Sequence, residues 1–386
     1  MQGQLSVLRG SILKTLTCLV STLSSDSVGL HGVLLPLLRD CTVPSKSGNS
    51  KNKNKTPSDD EDDFVAIREQ SLELWAIMSD KAPRFTPDLV ALFDLRWLPL
   101  AKVAVEEKDI TELHLLLSIL RNYVTLSMVD RELRGASQPS FVDPRATGLC
   151  QSLLPIADCL AEPLPSFVRA SLIDAHNDAH GIFIQLVDLF VQSPAFLAKP
   201  PPSFTSILYN MLHRITASAR QKDDTQTEED EEDEERDIRF LVNDSQPPVV
   251  GYLGVFARLF SRNFSATGSL FQTFCKVVLK LTQEQSSLLF VEVLLFWLNK
   301  TSLMTDDQRQ ISVVALCNCL ATPMPMLVEK CLPGIVDLCE RTSKRTGFLE
   351  KDKTHLKELR DTDRLTGKGR RLFLSSRDSL LRTNCG

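Results

Sequence analysis

His176 and His180 stand four residues apart, beside Asp174 and Asp178. On a helix that spacing puts both imidazoles on one face, where two histidines can share a metal ion. The HExxH order that adds a general base is missing, so the pair reads as a solvated helix face. Cys317 and Cys319 form a Cys-x-Cys pair, and Cys331 and Cys339 follow. Structural zinc needs thiolates that converge on one point. These four lie on helices with Leu, Val and Ala between them, which argues against zinc. Most of the ten cysteines, such as Cys150, Cys159, Cys275 and Cys331, sit in apolar helical stretches and read as reduced, buried thiols. Thr366–Arg371, TGKGRR, lacks both the GxxxxGK[ST] spacing and the preceding strand of a phosphate loop. Gly251 and Gly254 sit inside a helical pattern, where small residues let neighbouring helices approach. No nucleophile elbow is found. The expectation is a chain with no catalytic residue, no metal ligand and no cofactor, and so not an enzyme.

The strongest remaining signal is charge. The net charge of −5 hides a marked asymmetry. Eleven acidic residues fall within the fifteen from Asp223 to Asp237, a shorter acidic run occupies Asp59–Asp63, and the last forty or so residues are basic. The densest part of the long run is Glu228, Glu229, Asp230, Glu231, Glu232, Asp233, Glu234 and Glu235. It has two readings. One is a solvated, mobile loop with no partner. The other is an electrostatic surface for a basic partner, since clustered like charge steers association. The basic tail, including Lys344, Arg345, Lys368, Arg370 and Arg371, is interleaved with Glu350, Asp352, Glu358, Asp361 and Asp363. That mixture reads as a solvated extension rather than a nucleic-acid site.

The elements that must position these residues are helical throughout. Apolar residues recur three and four apart in Leu5–Leu23, around Val33–Leu38, and from Phe64 to Met78. The spacing continues through Leu89–Trp97, Thr111–Leu126, Ala146–Leu160, Phe167–Val191 and Phe204–Ala217. Asp26 is the expected cap of the second helix, and Pro36 its kink or late start. Pro247–Leu298 predicts three helices of about four turns, with a small and polar break at Asn263–Ser269. Asp306 and Pro325 open two more. Each Trp (Trp75, Trp97 and Trp297) has Leu at helical spacing, which predicts core packing. No period-2 alternation signals a strand.

About thirteen helices make six or seven hairpins, with a period of roughly 40–60 residues inflated by inserts. None buries its apolar stripe alone, but antiparallel pairs stacked in sequence make one continuous core. The predicted class is therefore all-α: an α-solenoid of HEAT/armadillo-type helical hairpins over residues 1–343. Disordered loops are expected near 44–63 and 220–246, because these polar stretches bury too little to repay their ordering entropy. Residues 344–386 are expected to form a charged C-terminal extension. No signal-peptide pattern opens the chain, and Leu288–Leu298 and Val313–Leu320 read as too short to cross a bilayer. The expectation is a soluble intracellular protein with no membrane insertion.

Five segments in order carry a family resemblance: DSVGLHGVLLPLLRD (Asp26–Asp40), SLELWAIM with TPDLVALF (Ser71–Phe93), GLCQSLL (Gly148–Leu154), PPVVGYLGVFARLFSRN (Pro247–Asn263) and VEVLLFWLNKTSLMTDDQRQISVVAL (Val291–Leu316). Together the chain resembles the C-terminal half of the importin-eleven branch of the importin-β superfamily of nuclear transport receptors. The resemblance implies a HEAT-repeat superhelix that binds protein cargo and carries it through the nuclear pore, shuttling between nucleus and cytoplasm. It implies Phe-Gly nucleoporins as partners, and Ran-GTP bound mainly through N-terminal repeats that have no counterpart here. A C-terminal portion, from a fragment or an incomplete gene model, is the corresponding expectation. The acidic run and the Lys46–Lys55 stretch look longer than the family's usual connections. No family motif assigns cargo residues.

Overall fold

Several helix starts in this chain are fixed by side chains that satisfy the otherwise unpaired first-turn N–H groups. Thr86 Oγ1 accepts from Leu89 N at 3.2 Å, with Pro87 at the first helical position. Thr282 and Gln285 form a reciprocal capping box, each side chain bonded to the other's backbone N–H. Thr305 and Gln308 make the same pair of bonds, at 3.3 and 3.1 Å. Asn263 Oδ1 accepts from Ala266 N at 3.0 Å. The expected break at Asn263–Ser269 is therefore only Asn263 itself. Its side chain ends one helix and caps the next, so the helix resumes at Phe264.

The computed structural model describes residues 2–42, 59–134, 141–162, 170–193, 200–220, 247–320, 326 and 328–342. Among these, every regular element is helical. In chain order they are α1 Gln2–Leu23, α2 His31–Cys41, α3 Asp59–Lys81, α4 Pro87–Glu107, α5 Ile110–Arg134, α6 Ala146–Ala161, α7 Ala170–Gln192 and α8 Pro202–Arg220. There follow α9 Pro247–Arg262, α10 Phe264–Val277, α11 Gln283–Lys300, α12 Asp306–Leu320 and α13, residues 328–342. Two starts differ from the sequence reading. Asp26 caps nothing at α2; it lies in a 3-10 turn, Ser24–Leu30, and α2 begins without a side-chain cap. Helix α3 begins at Asp59, inside the short acidic run, since a first turn needs no apolar residue and the helix dipole tolerates negative charge there. The polar stretch before Asp59 lies outside the described residues.

The chain divides into two compact units, Met1–Asn210 and Met211–Gly386. In the first, α1, α3, α5 and α7 pack each against the next in one row. Helices α2, α4 and α6 do the same in a second row, and α2–α3, α4–α5 and α6–α7 pack across. Two rows of successive hairpins are the architecture of an α-solenoid. In the second unit α9 packs on α10 and α12, and α10 on α11.

The three Trp residues are core anchors, as their Leu-rich settings predict. Trp75 Nε1 donates to Tyr123 Oη at 3.1 Å, and Tyr123 Oη donates to Leu89 O at 2.7 Å. Trp97 Nε1 donates to Leu116 O at 2.8 Å. Phe85, Phe93 and Phe141 close around Tyr123, with ring centroids 4.6–5.8 Å from it. In the second unit Trp297 Nε1 donates to Ser312 Oγ at 3.1 Å, which joins α11 to α12. A buried ion pair joins α3 to α5: Arg68 Nε donates to Glu112 Oε1, and Arg68 Nη2 lies 3.6 Å from Glu107 Oε2. Burial pushes the Glu112 carboxyl up, and Arg68 pulls it back.

The expectation about spanning length needs correction. The stretches Leu8–Cys41 and Gln283–Leu303, 34 and 21 residues, are long and apolar enough to cross a membrane by length and composition. The first is interrupted by the 3-10 turn at Ser24–Leu30. The second runs past Leu298 because α11 continues through Lys300 into a 3-10 turn, Thr301–Leu303. Core helices of stacked arrays pass the same test, and Leu289, Leu294 and Trp297 of the second stretch are buried against protein.

Candidate functional site

The acidic run is the one partner surface the sequence points to. Glu228, Glu229, Asp230, Glu231, Glu232, Asp233, Glu234 and Glu235 lie outside the described residues, but both anchors of their segment are described. The segment leaves α8 at Arg220 and rejoins at Pro247, the first residue of α9. Leu212 and Ile215 of α8 line one apolar pocket with Leu253, Phe256 and Phe260 of α9. Phe271, Phe290, Val293, Leu294 and Trp297 complete its wall. Tyr252, buried in α9, is hydrogen-bonded to Arg214 of α8; burial raises its phenol and Arg214 lowers it. Helices α8 and α9, which flank the acidic segment, are thus joined by packing and by a charge-assisted hydrogen bond. This anchoring was not legible in the sequence, where Arg214 and Tyr252 belong to different apolar patterns.

The structure revises the metal and nucleophile candidates. His176 and His180 do share a face, with ring centroids 5.2 Å apart at 84°. That face is not solvated: His180 is 4% exposed. The reason is register, because His180 falls on the stripe with Phe183, Val187 and Val191 that α7 buries, and α7 packs on α5. Across that interface Asp178 acts on His114 of α5, whose imidazole is lowered chiefly by burial. Among the described residues no three His, Cys, Asp or Glu side chains group as metal ligands.

Cys150, Cys275 and Cys331 are buried, as their settings predict, and so is Cys319, whereas Cys159 is only half-buried. Burial pushes the Cys150 and Cys319 thiols up to about 12. Cys317 is exposed, and its Sγ lies 4.0 Å from that of Cys339. Gly254 keeps its expected role. A Cβ there would meet Gln308 Nε2 of α12 at 2.9 Å, so at the α9–α12 contact the small residue leaves room for the Gln308 side chain. The TGKGRR stretch and the basic tail lie outside the described residues.

The chain is similar to curated importins. It is 24% identical to Importin-11 of Homo sapiens over 335 residues, which cover 86% of this chain and 26% of that protein. It is 30% identical to Importin-11 of Mus musculus over 147 residues, which cover 38% of this chain and 12% of that protein. The chain therefore spans about a quarter of the length of the human relative. No protein-family model matches the chain. No solved structure matches it either.

Proposed function

We propose that the chain works as part of a nuclear transport receptor of the importin, or karyopherin-β, type: a binding protein rather than a catalyst. One observation carries this reading. The similarity to human Importin-11 runs along 86% of a chain whose first unit is two rows of stacked helical hairpins. Stacked hairpins give extended surfaces on which proteins dock, without the enclosed polar pocket that catalysis uses. In this reading the chain binds protein cargo and Phe-Gly nucleoporins and shuttles between nucleus and cytoplasm. Ran-GTP drives the cycle, gripped mainly by repeats other than these. The acidic residues Glu228–Glu235 serve basic cargo, raising the association rate more than they slow release.

The test is binding of the purified chain to immobilised Phe-Gly repeat peptides, followed by entry of the fluorescent chain into nuclei of permeabilised cells. Specific binding, lost when Phe is replaced by Ser in the peptides, together with nuclear entry, supports the reading. A chain that binds basic proteins yet ignores Phe-Gly peptides and stays outside nuclei is a helical scaffold without transport activity, and the proposal is then wrong.

A further inference from the structure

Helices α12 and α13 place two thiols against each other at the protein surface. Cys317 Sγ and Cys339 Sγ are 4.0 Å apart, near van der Waals contact. Cys317 is exposed and Cys339 half-buried. The other two cysteines of this hairpin, Cys319 and Cys331, are fully buried. One hairpin therefore carries one accessible dithiol and two inert thiols.

We propose that Cys317 and Cys339 are a reversible oxidation site, at which a peroxide converts the two thiols into a disulfide that clasps α12 to α13. The bond needs the sulfurs to close from 4.0 Å to about 2.0 Å. Cys317 is the attacking thiol because solvent reaches it. Its thiolate displaces one oxygen of hydrogen peroxide as hydroxide and becomes a sulfenic acid. Cys339 then attacks that sulfur, a second hydroxide leaves, and both hydroxides collect the two thiol protons. Two thiols and one peroxide give one disulfide and two waters; the sulfurs lose two electrons and the peroxide oxygens gain them. A dithiol reductant reverses the step by exchange.

Rate and selectivity follow from the surroundings. Burial and the neighbouring Cys339 thiol both raise the Cys317 thiol, so oxidation is slow at neutral pH and quickens as pH rises. Cys319 is closed to solvent, which keeps it out of the exchange.

The test uses the full chain, reduced, desalted and exposed to millimolar hydrogen peroxide at pH 7 and pH 8.5. Remaining thiols are blocked by alkylation, and tryptic peptides are read by mass spectrometry with fragmentation. The expected product joins residues 310–330 to 331–341 through Cys317 and Cys339. Alkylation of Cys317 should fall about tenfold, recover with dithiothreitol, and fall faster at pH 8.5. The Cys317→Ser and Cys339→Ser variants should each lose the cross-link, and Cys18→Ser should keep it. A link through Cys319 or Cys331, a link that survives either serine variant, or Cys317 recovered unlinked or as sulfinic acid overturns the proposal. Fragmentation of the wild-type product decides the assignment even if a variant fails to fold.

Discussion

Tyr123→Phe removes one oxygen from the centre of the first unit and leaves the ring in place. The hydroxyl makes two hydrogen bonds, accepting from Trp75 Nε1 at 3.1 Å and donating to Leu89 O at 2.7 Å. Leu89 O keeps a partner, because it lies in the first turn of α4 and accepts from the helix's own backbone. Trp75 Nε1 keeps none, and Trp75 is 0% exposed. A buried donor left unsatisfied costs about 1–3 kcal/mol. We therefore expect a loss of about 2 kcal/mol at pH 7, read from urea unfolding of the first unit by near-UV circular dichroism. A Trp75→Phe, Tyr123→Phe double variant removes donor and acceptor together, so the two losses should not add.

The same residue makes a second prediction, with a definite sign. Burial raises the Tyr123 phenol far above its usual range. A group whose folded pKa is raised contributes stability that is present below the unfolded value and lost as pH rises above it. The window therefore opens near pH 10, where the phenol of the unfolded chain ionises. At pH 11 the wild type should have lost about 1.4 kcal/mol through this residue alone, one pH unit beyond that value. The advantage of wild type over Tyr123→Phe should then shrink from about 2 to about 0.6 kcal/mol on the same accounting. A variant within 0.5 kcal/mol of wild type at pH 7, or a difference that stays constant to pH 11, would refute the reasoning.

Arg68→Met should cost about 3–5 kcal/mol in urea unfolding, because it strands the buried Glu112 carboxylate; Arg68→Met with Glu112→Leu should recover most of that loss. Gly254→Ala should stabilise a Gln308→Ala background by about 1 kcal/mol, the usual helix gain, but do little in the wild type, where the new methyl meets Gln308. Replacing Glu228–Glu235 with Ser and Gly should slow association with a basic cargo and flatten its salt dependence while leaving thermal unfolding unchanged. Equal association rates at low and high salt would make that segment a passive connection.

Most of the helices were legible because apolar spacing at three and four residues is a direct trace of a buried stripe. The Leu residues around Trp75, Trp97 and Trp297 marked core, and all three are core. Spacing shows that a helix has two faces but not which neighbour covers each. His180 was misplaced for that reason: its polar type suggested solvent, while its register put it on the buried stripe. Asn263 was misread because one side chain both breaks a helix and caps the next. The Arg68–Glu112 pair joins α3 to α5, and Cys317 meets Cys339 only where α12 meets α13. Such pairings depend on how hairpins stack, and single-helix periodicity carries no information about stacking.

That separation between periodicity and stacking also bears on where a charged partner surface can be placed. In a stacked array each hairpin is held by its neighbours, so the connection between two helices need not contribute to the core. The ends of the acidic segment illustrate this. Leu212 and Ile215 meet Leu253, Phe256 and Phe260, and Arg214 bonds Tyr252, so the flanking helices α8 and α9 are joined through their own side chains. Lengthening such a connection is cheap, since each doubling of a flexible closed loop costs only about 0.6 kcal/mol. A segment carrying eleven acidic residues within fifteen therefore adds little closure cost at this position, where α8 and α9 already meet through apolar side chains and the Arg214–Tyr252 bond.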